Sequence, residues 1–379
     1  MAADRGLASV GTDLDARRAS EAVVHGALPD PFAWPDGRRV ATPAEWPHRA
    51  AAWRRRLVDL GYGGMPPMPV EVRLRPRSEA RVRRFAGEPR VLALDLHVAL
   101  GASEVRWSVR LLLPDANAPV GVVVTGDGCW WQPPDASAER LVAGGVALAV
   151  FDRTAVAPDV GERRGGLFDT LPGSSFGALA AWAWAYRQVV AGLRSMAEVD
   201  ADRIGVTGFS RGGKAALLAA ATDEAIAWAH AHASGAGGAA PFRYLGDGAE
   251  TIGVARAFPA WFGPRLAAFD GRVAELPFDQ HVLLAAIAPR PLLLTCGADD
   301  AWANPEGTVQ AAWAAREVYR FVGAGDALAV VLRPGGHALT DADWAWLDGA
   351  PAWRSPDGAP LGVRHPYVDL RPAFAWRAP

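Results

Sequence analysis

The segment Arg203-Ile204-Gly205-Val206-Thr207-Gly208-Phe209-Ser210-Arg211-Gly212-Gly213-Lys214 passes from an apolar run, through a serine set between glycines, into an alanine-rich run. The apolar half has the unbroken hydrophobicity of a strand buried on both faces. Lys214 to Ala221 reads as a helix. A Gly-x-Ser-x-Gly motif is common by chance, but between a strand and a helix it describes a sharp turn that projects the serine hydroxyl. The neighbours of Ser210 must be small because such a strained turn crowds them. The plainer alternative is a serine that caps a helix.

Outward from this turn the hydrophobic period changes. Prolines and tryptophans punctuate residues 29–69 around one helix, which starts at Thr42-Pro43 and runs to Leu60. Gly61-Tyr62-Gly63-Gly64 ends it, and Pro66, Pro67 and Pro69 block its continuation. Residues 91–98 and 105–113 alternate apolar and polar side chains, as antiparallel strands do. Residues 120–125, 145–151, 203–208, 225–232, 291–296 and 327–332 are continuous apolar runs, with a helix over 175–196 among them. Strand–helix alternation after an antiparallel opening predicts the α/β class. The expected architecture is an α/β-hydrolase fold, a three-layer sandwich around a mostly parallel sheet, with an N-terminal extension. Residues 1–28 read as a flexible segment, mobile or draped over the surface, and residues 29–379 as one catalytic domain with an insertion at about 235–285.

A serine hydroxyl needs a base to take its proton, and the base needs an acid to orient it. In this fold the order along the chain is serine, acid, histidine. Of eight histidines, His337 in Pro334-Gly335-Gly336-His337 lies on a loop just past the last strand, where the base belongs. His281 stands at a helix start and suits a structural role. His230 and His232 share one face of a strand, a weak metal hint without a third ligand. The acid should follow the penultimate strand, in Gly297-Ala298-Asp299-Asp300-Ala301-Trp302, and spacing does not separate Asp299 from Asp300. The Arg211 N–H, with a donor from Gly126 to Cys129, should stabilise the oxyanion. No metal or other cofactor is called for.

The 379 residues carry a formal charge of −2, which gives no electrostatic reason to expect nucleic acid or an anionic membrane as partner. Two cysteines, Cys129 and Cys296, form no disulfide framework and read as free thiols. Sixteen tryptophans exceed ordinary core needs, and surplus indole suits a carbohydrate or aromatic-ligand cleft. Residues 1–10 lack the apolar run of a signal peptide, and no stretch is long enough to span a bilayer. A soluble, cytoplasmic location is the expectation from these features.

The run Val206 to Lys214 resembles the elbow of the glucuronoyl esterases, carbohydrate esterase family fifteen. Pro29-Asp30-Pro31-Phe32, Ser234-Gly235-Ala236-Gly237-Gly238, Leu276-Pro277-Phe278-Asp279-Gln280-His281 and Asp300-Ala301-Trp302-Ala303-Asn304-Pro305 add to the resemblance. It implies a serine esterase cleaving glucuronate esters of lignin-type alcohols, through a Ser210–His337–Asp300 triad with Asp300 favoured over Asp299. It further implies that the Arg211 side chain joins its backbone at the oxyanion, that Lys214 and Glu250 bond sugar hydroxyls, and that Trp302 packs on the ring. Many members carry a glutamate just before the Ser-Gly pair, and this chain has Ala233 there. The expected partner is a small-molecule or oligosaccharide uronate ester, and the oligomeric state is left open. The rival readings are a carbohydrate esterase of acetylxylan type and a non-catalytic sugar-binding protein.

Overall fold

Side-chain alternation along the first strands and its loss in the later ones reflect two kinds of pairing in one sheet. The computed structural model describes residues 14–130, 132–354 and 358–379. Its antiparallel part comprises β1 (Glu71–Arg81), β2 (Arg90–Leu100) and β3 (Ser103–Leu113). β2 turns Leu92, Leu94, Leu96 and Val98 inward and pairs with β3 along its whole length. The parallel part comprises β4 (Val120–Thr125), β5 (Val146–Phe151), β6 (Val199–Phe209), β7 (Trp228–His232), β8 (Leu292–Gly297), β9 (Leu328–Arg333) and β10 (Val363–Arg364). The strand order is β10-β9-β8-β7-β6-β4-β5-β3-β2-β1. Helices cover both faces, which makes this the α/β-hydrolase fold.

β1 escapes a reading by hydrophobicity. Its residues, Glu-Val-Arg-Leu-Arg-Pro-Arg, are mostly exposed, and its register shifts between Pro76 and Ser78. Proline lacks an N–H and is tolerated on an edge strand at a bulge, as here. The charged side chains suit an edge that must not pair with another chain.

The helix expected from Thr42 becomes a 3-10 turn, Pro43–Glu45, leading into α1 (Trp46–Tyr62). Gly63 closes α1 in the left-handed region, φ +75°, a conformation open to glycine. The next helices are α2 (Asp135–Ala143) and α3 (Ala178–Leu193). Trp182, Trp184 and Tyr186 of α3 are fully buried, because α3 is apolar over most of its surface, Arg187 and Gln188 apart, and packs within the sandwich. Beyond the elbow, α4 (Arg211–Thr222) is lined with alanines that let it approach the sheet closely. α5 (Gln280–Ala285), α6 (Pro305–Phe321) and α7 (Asp341–Ala345) follow along the chain.

Residues 1–13 of the N-terminal segment lie outside the described residues. Residues 14–28 are fastened down. Val23–Val24 pairs with Tyr244–Leu245, the Arg17 N–H donates to Pro366 O, and Ser20 bonds Glu306 through its N–H and its hydroxyl. Weak periodicity suggested mobility here because these bonds run to distant parts of the chain.

Residues 235–285 consist mainly of turns. Asp279, fully buried, holds them by accepting from the N–H groups of Phe242 (2.8 Å), Arg243 (3.0 Å) and Gln280 (2.9 Å) and pairing with the Arg243 guanidinium. Removing one member of a buried pair strands the other's charge. Asp279→Ala should therefore cost about 3–5 kcal/mol in urea unfolding, and a cost below about 1 kcal/mol would show the pair to be expendable.

Candidate active site

β6 hands directly to α4 at Ser210, whose φ of +53° and ψ of −122° lie where side-chain-bearing residues are rarely found. Strain of this kind persists only where the surroundings impose it. Three glycines and one carboxylate do so. A Cβ on Gly208 would sit 2.8 Å from the Gly213 nitrogen, and one on Gly212 would sit 2.7 Å from the Asp127 Cγ. Asp127, buried beneath the turn, accepts the Phe209 N–H at 2.7 Å and pairs with the buried Arg153, whose guanidinium lies 5.0 Å from the Trp182 ring centroid. The Ser210 N–H donates to His232 O at 2.9 Å.

The hydroxyl of Ser210 lies 3.1 Å from His337 Nε2, and His337 Nδ1 lies 2.7 Å from Asp300 Oδ2. A carboxylate can only accept, so Nδ1 carries the proton and the Nε2 lone pair faces the serine. Asp300 is buried, and its other oxygen accepts the Ala303 N–H at 3.1 Å. Asp299 points away. It binds Arg17 at 2.8 Å and the Gly335 N–H at 3.0 Å, tying the N-terminal segment to the loop of His337. The Arg17 hydrogen bond, foremost, holds the Asp299 carboxyl below its usual range.

A second polar layer lies behind this row. His232 Nε2 must donate to Ala338 O (2.8 Å), so its Nδ1 accepts from Thr295 Oγ1 (2.7 Å). The Thr295 oxygen then accepts from His230 Nε2 (2.8 Å), and His230 Nδ1 accepts from Thr207 Oγ1 (2.9 Å). Burial pushes both imidazoles down, His230 to about 3, which keeps the chain neutral and its direction fixed. These histidines therefore have no lone pair left for a metal. Among the described residues no three His, Cys, Asp or Glu side chains are grouped to hold one. Arg333 bonds Ala338 O (2.7 Å), Pro334 O (2.8 Å) and Asp343 (2.7 Å), bracing the His337 loop from below. His281, expected to be structural, donates from Nε2 to Pro29 O at 2.8 Å.

The N–H of Arg211 opens α4 beside the serine. The loop after β4 offers less than expected: the Gly126, Asp127 and Gly128 N–H groups are engaged by Tyr186 Oη, Thr125 Oγ1 and Phe151 O. The Arg211 guanidinium is held by Asp159 at 2.8 Å, 4.7 Å from the ring centroid of Trp261 and 5.8 Å from that of Trp130. On another side, Lys214 Nζ donates to Glu250 Oε2 at 2.6 Å and to Ala236 O, both side chains being buried. Burial pushes the Lys214 ammonium down, and Glu250 opposes the shift. Trp302, 53% exposed, stands at the rim, and its carbonyl accepts the Glu250 N–H at 3.0 Å. Ala233 is buried with φ +47°. Both cysteines are free thiols, and burial pushes Cys129 up to about 12.

Arg153 and Asp159 were not singled out in the sequence, and Asp127 entered only within the loop Gly126 to Cys129. Only the glycines flanking Asp127, in a loop after a buried strand, signalled a close approach there.

Comparison with known proteins completes this description. Residues 96–323 match the family described as glucuronyl esterase, fungi. A 4-O-methyl-glucuronoyl methylesterase of Neurospora crassa is 30% identical over 323 residues, 82% of this chain and 76% of that protein. One from Podospora anserina is 29% identical over 316 residues, 80% of this chain, so that the chain spans 62% of that relative's length. A family 15 glucuronoyl esterase structure from Caldicellulosiruptor kristjansonii superposes with a TM-score of 0.77 and 30% identity, covering 93% of this chain and 97% of that one. These relatives correct the cytoplasmic location expected above, since homologous glucuronoyl esterases are secreted extracellular enzymes. The composition of residues 1–10 does not determine compartment, and those residues lie outside the described ones. Among the described residues no helix is long and apolar enough to cross a membrane.

The crowding at Gly212 gives a direct test of the turn. Gly212→Ala should slow labelling of Ser210 by a fluorophosphonate about 100-fold by forcing Asp127 and the serine apart. Labelling at the wild-type rate would show that the turn tolerates a methyl group.

Proposed function

This chain belongs to the glucuronyl esterase family, and from that we propose that it hydrolyses glucuronate esters through an acyl-enzyme on Ser210. The supporting observation is the unbroken row Ser210–His337–Asp300, set beside a buried Lys214–Glu250 pair and the exposed Trp302. In the proposed reaction His337 Nε2 takes the hydroxyl proton as Ser210 Oγ bonds the ester carbonyl carbon. The Arg211 N–H and guanidinium oppose the charge that develops on the carbonyl oxygen. Collapse breaks the bond to the alcohol oxygen, which leaves with the proton held by His337. Water then repeats the sequence on the acyl group, releasing the uronic acid and the free serine.

The acyl part of the substrate is the sugar in this reading. Two of the three Lys214 N–H groups are taken by Ala236 O and Glu250, which leaves one N–H and Glu250 Oε1 to meet a pair of hydroxyls. Trp302 presents an indole face on which a pyranose ring can lie. The relatives' name, 4-O-methyl-glucuronoyl methylesterase, describes the same kind of acyl group. Ala233 supplies only a methyl group, so Asp300 is the carboxylate that pairs with His337.

Hydrolysis of benzyl glucuronate and of an aryl acetate by wild type and Ser210→Ala tests this reading. Cleavage of the glucuronate ester, abolished in the variant, is expected. Activity on the acetate alone would replace the proposed substrate class. Asp300→Asn should lower kcat about 10^3–10^4-fold, because the histidine would take the wrong tautomer. Asp299→Asn should stay within about threefold of wild type, since its carboxylate faces Arg17 rather than the imidazole.

A further inference from the structure

Asp159 lies on the turn-rich stretch between Val156 and Gly166, outside the row of catalytic groups and outside every motif noted in the sequence. Its side chain is 6% exposed and has two partners. Oδ2 accepts from Arg211 Nη1 at 2.8 Å, and Oδ1 accepts from Trp261 Nε1 at 2.8 Å. The Trp261 indole is itself fixed. Its ring stacks on Phe258 at 4.0 Å and 9°, its carbonyl accepts the Leu179 N–H, and Arg163 donates to the next carbonyl, Phe262 O, at 2.8 Å. The same indole lies 4.7 Å from the Arg211 guanidinium carbon. The guanidinium is thus located by an ion pair at its edge and by a ring on its face, both referred to one rigid tryptophan.

We infer that Asp159 is a positioning residue for the oxyanion: it holds the Arg211 guanidinium where the negatively charged oxygen of the Ser210 adduct forms. This rests on the acyl-enzyme reading above. A free arginine side chain samples many rotamers, and preorganised donors are worth most where they need not be ordered during the reaction. The Gly126, Asp127 and Gly128 N–H groups already have partners, which raises the share of the oxyanion's stabilisation that Arg211 carries. An asparagine at position 159 would accept from one donor only and turn its NH2 toward the other, and it would remove the charge that fixes the guanidinium.

The test is a double-mutant cycle of Asp159→Asn and Arg211→Ala, read both as kcat and KM on benzyl glucuronate and as the rate of Ser210 labelling by a fluorophosphonate, whose adduct oxygen occupies the same place. Asp159→Asn alone should lower kcat and the labelling rate about tenfold, with KM within about twofold. Added to Arg211→Ala, it should change either rate by less than about twofold. A full tenfold loss in the Arg211→Ala background, or no loss in the wild-type background, would overturn the inference. Trp261→Phe keeps the ring but loses the indole N–H, and its smaller loss should likewise vanish without Arg211. That variant carries the test if Asp159→Asn does not fold. Labelling that follows the cycle while benzyl glucuronate is not cleaved would reject the substrate class and leave the role of Asp159 standing.

Discussion

The backbone at Ser210 is held in a region of conformational space that side chains ordinarily avoid, and the rest of the site is arranged around that constraint. The strain is imposed from three directions. Gly208, Gly212 and Gly213 leave no room for a relaxed turn, the His232 carbonyl takes the Ser210 N–H, and the Asp127 carboxylate takes the Phe209 N–H from below. Strain of this order amounts to about 1–3 kcal/mol, which a buried core of this size easily overcomes. What it provides is a hydroxyl presented at the end of a strand, with no freedom to withdraw into the helix.

The layer behind the serine shows how a polar interior can serve precision. Thr207, His230, Thr295 and His232 form a one-way chain of hydrogen bonds that ends on Ala338 O, one residue past His337. Every donor in it is used, so the chain has a single low-energy arrangement. Phe209 connects the layers sideways, its ring 4.8 Å from His337 and 5.5 Å from His232. The base is therefore located by backbone bonds, by ring packing and by Asp300 together.

Much of this was legible in the sequence, and the limits have physical causes. Six of the seven parallel strands announced themselves because burial on both faces demands unbroken apolar runs, whereas the two-residue, half-buried β10 did not. The elbow announced itself because its glycines are sterically required. β1 did not, since an edge strand under solvent needs no apolar face. Asp299 and Asp300 could not be separated by spacing, because neighbouring residues on a loop can face opposite ways. Here one faces Arg17 and the other His337. Asp159 was silent for a different reason: its partners, Arg211 and Trp261, lie 52 and 102 residues away along the chain, and no local pattern records such a meeting.

The pairing of cations in the site bears on turnover as well as on bond breaking. Arg211 faces Asp159, Lys214 faces Glu250, and Asp300 adds a further carboxylate behind His337. Arg211 and Lys214 are thus each paired with a carboxylate, and with Asp300 these five groups sum to a negative charge. An uncharged ester enters such a site without electrostatic penalty. On the proposed reaction, the uronate anion left after hydrolysis finds Arg211 and Lys214 already paired with carboxylates, which weakens their hold on it. For that reaction, the same pairing that positions the cations would also ease departure of a charged product relative to a neutral ester.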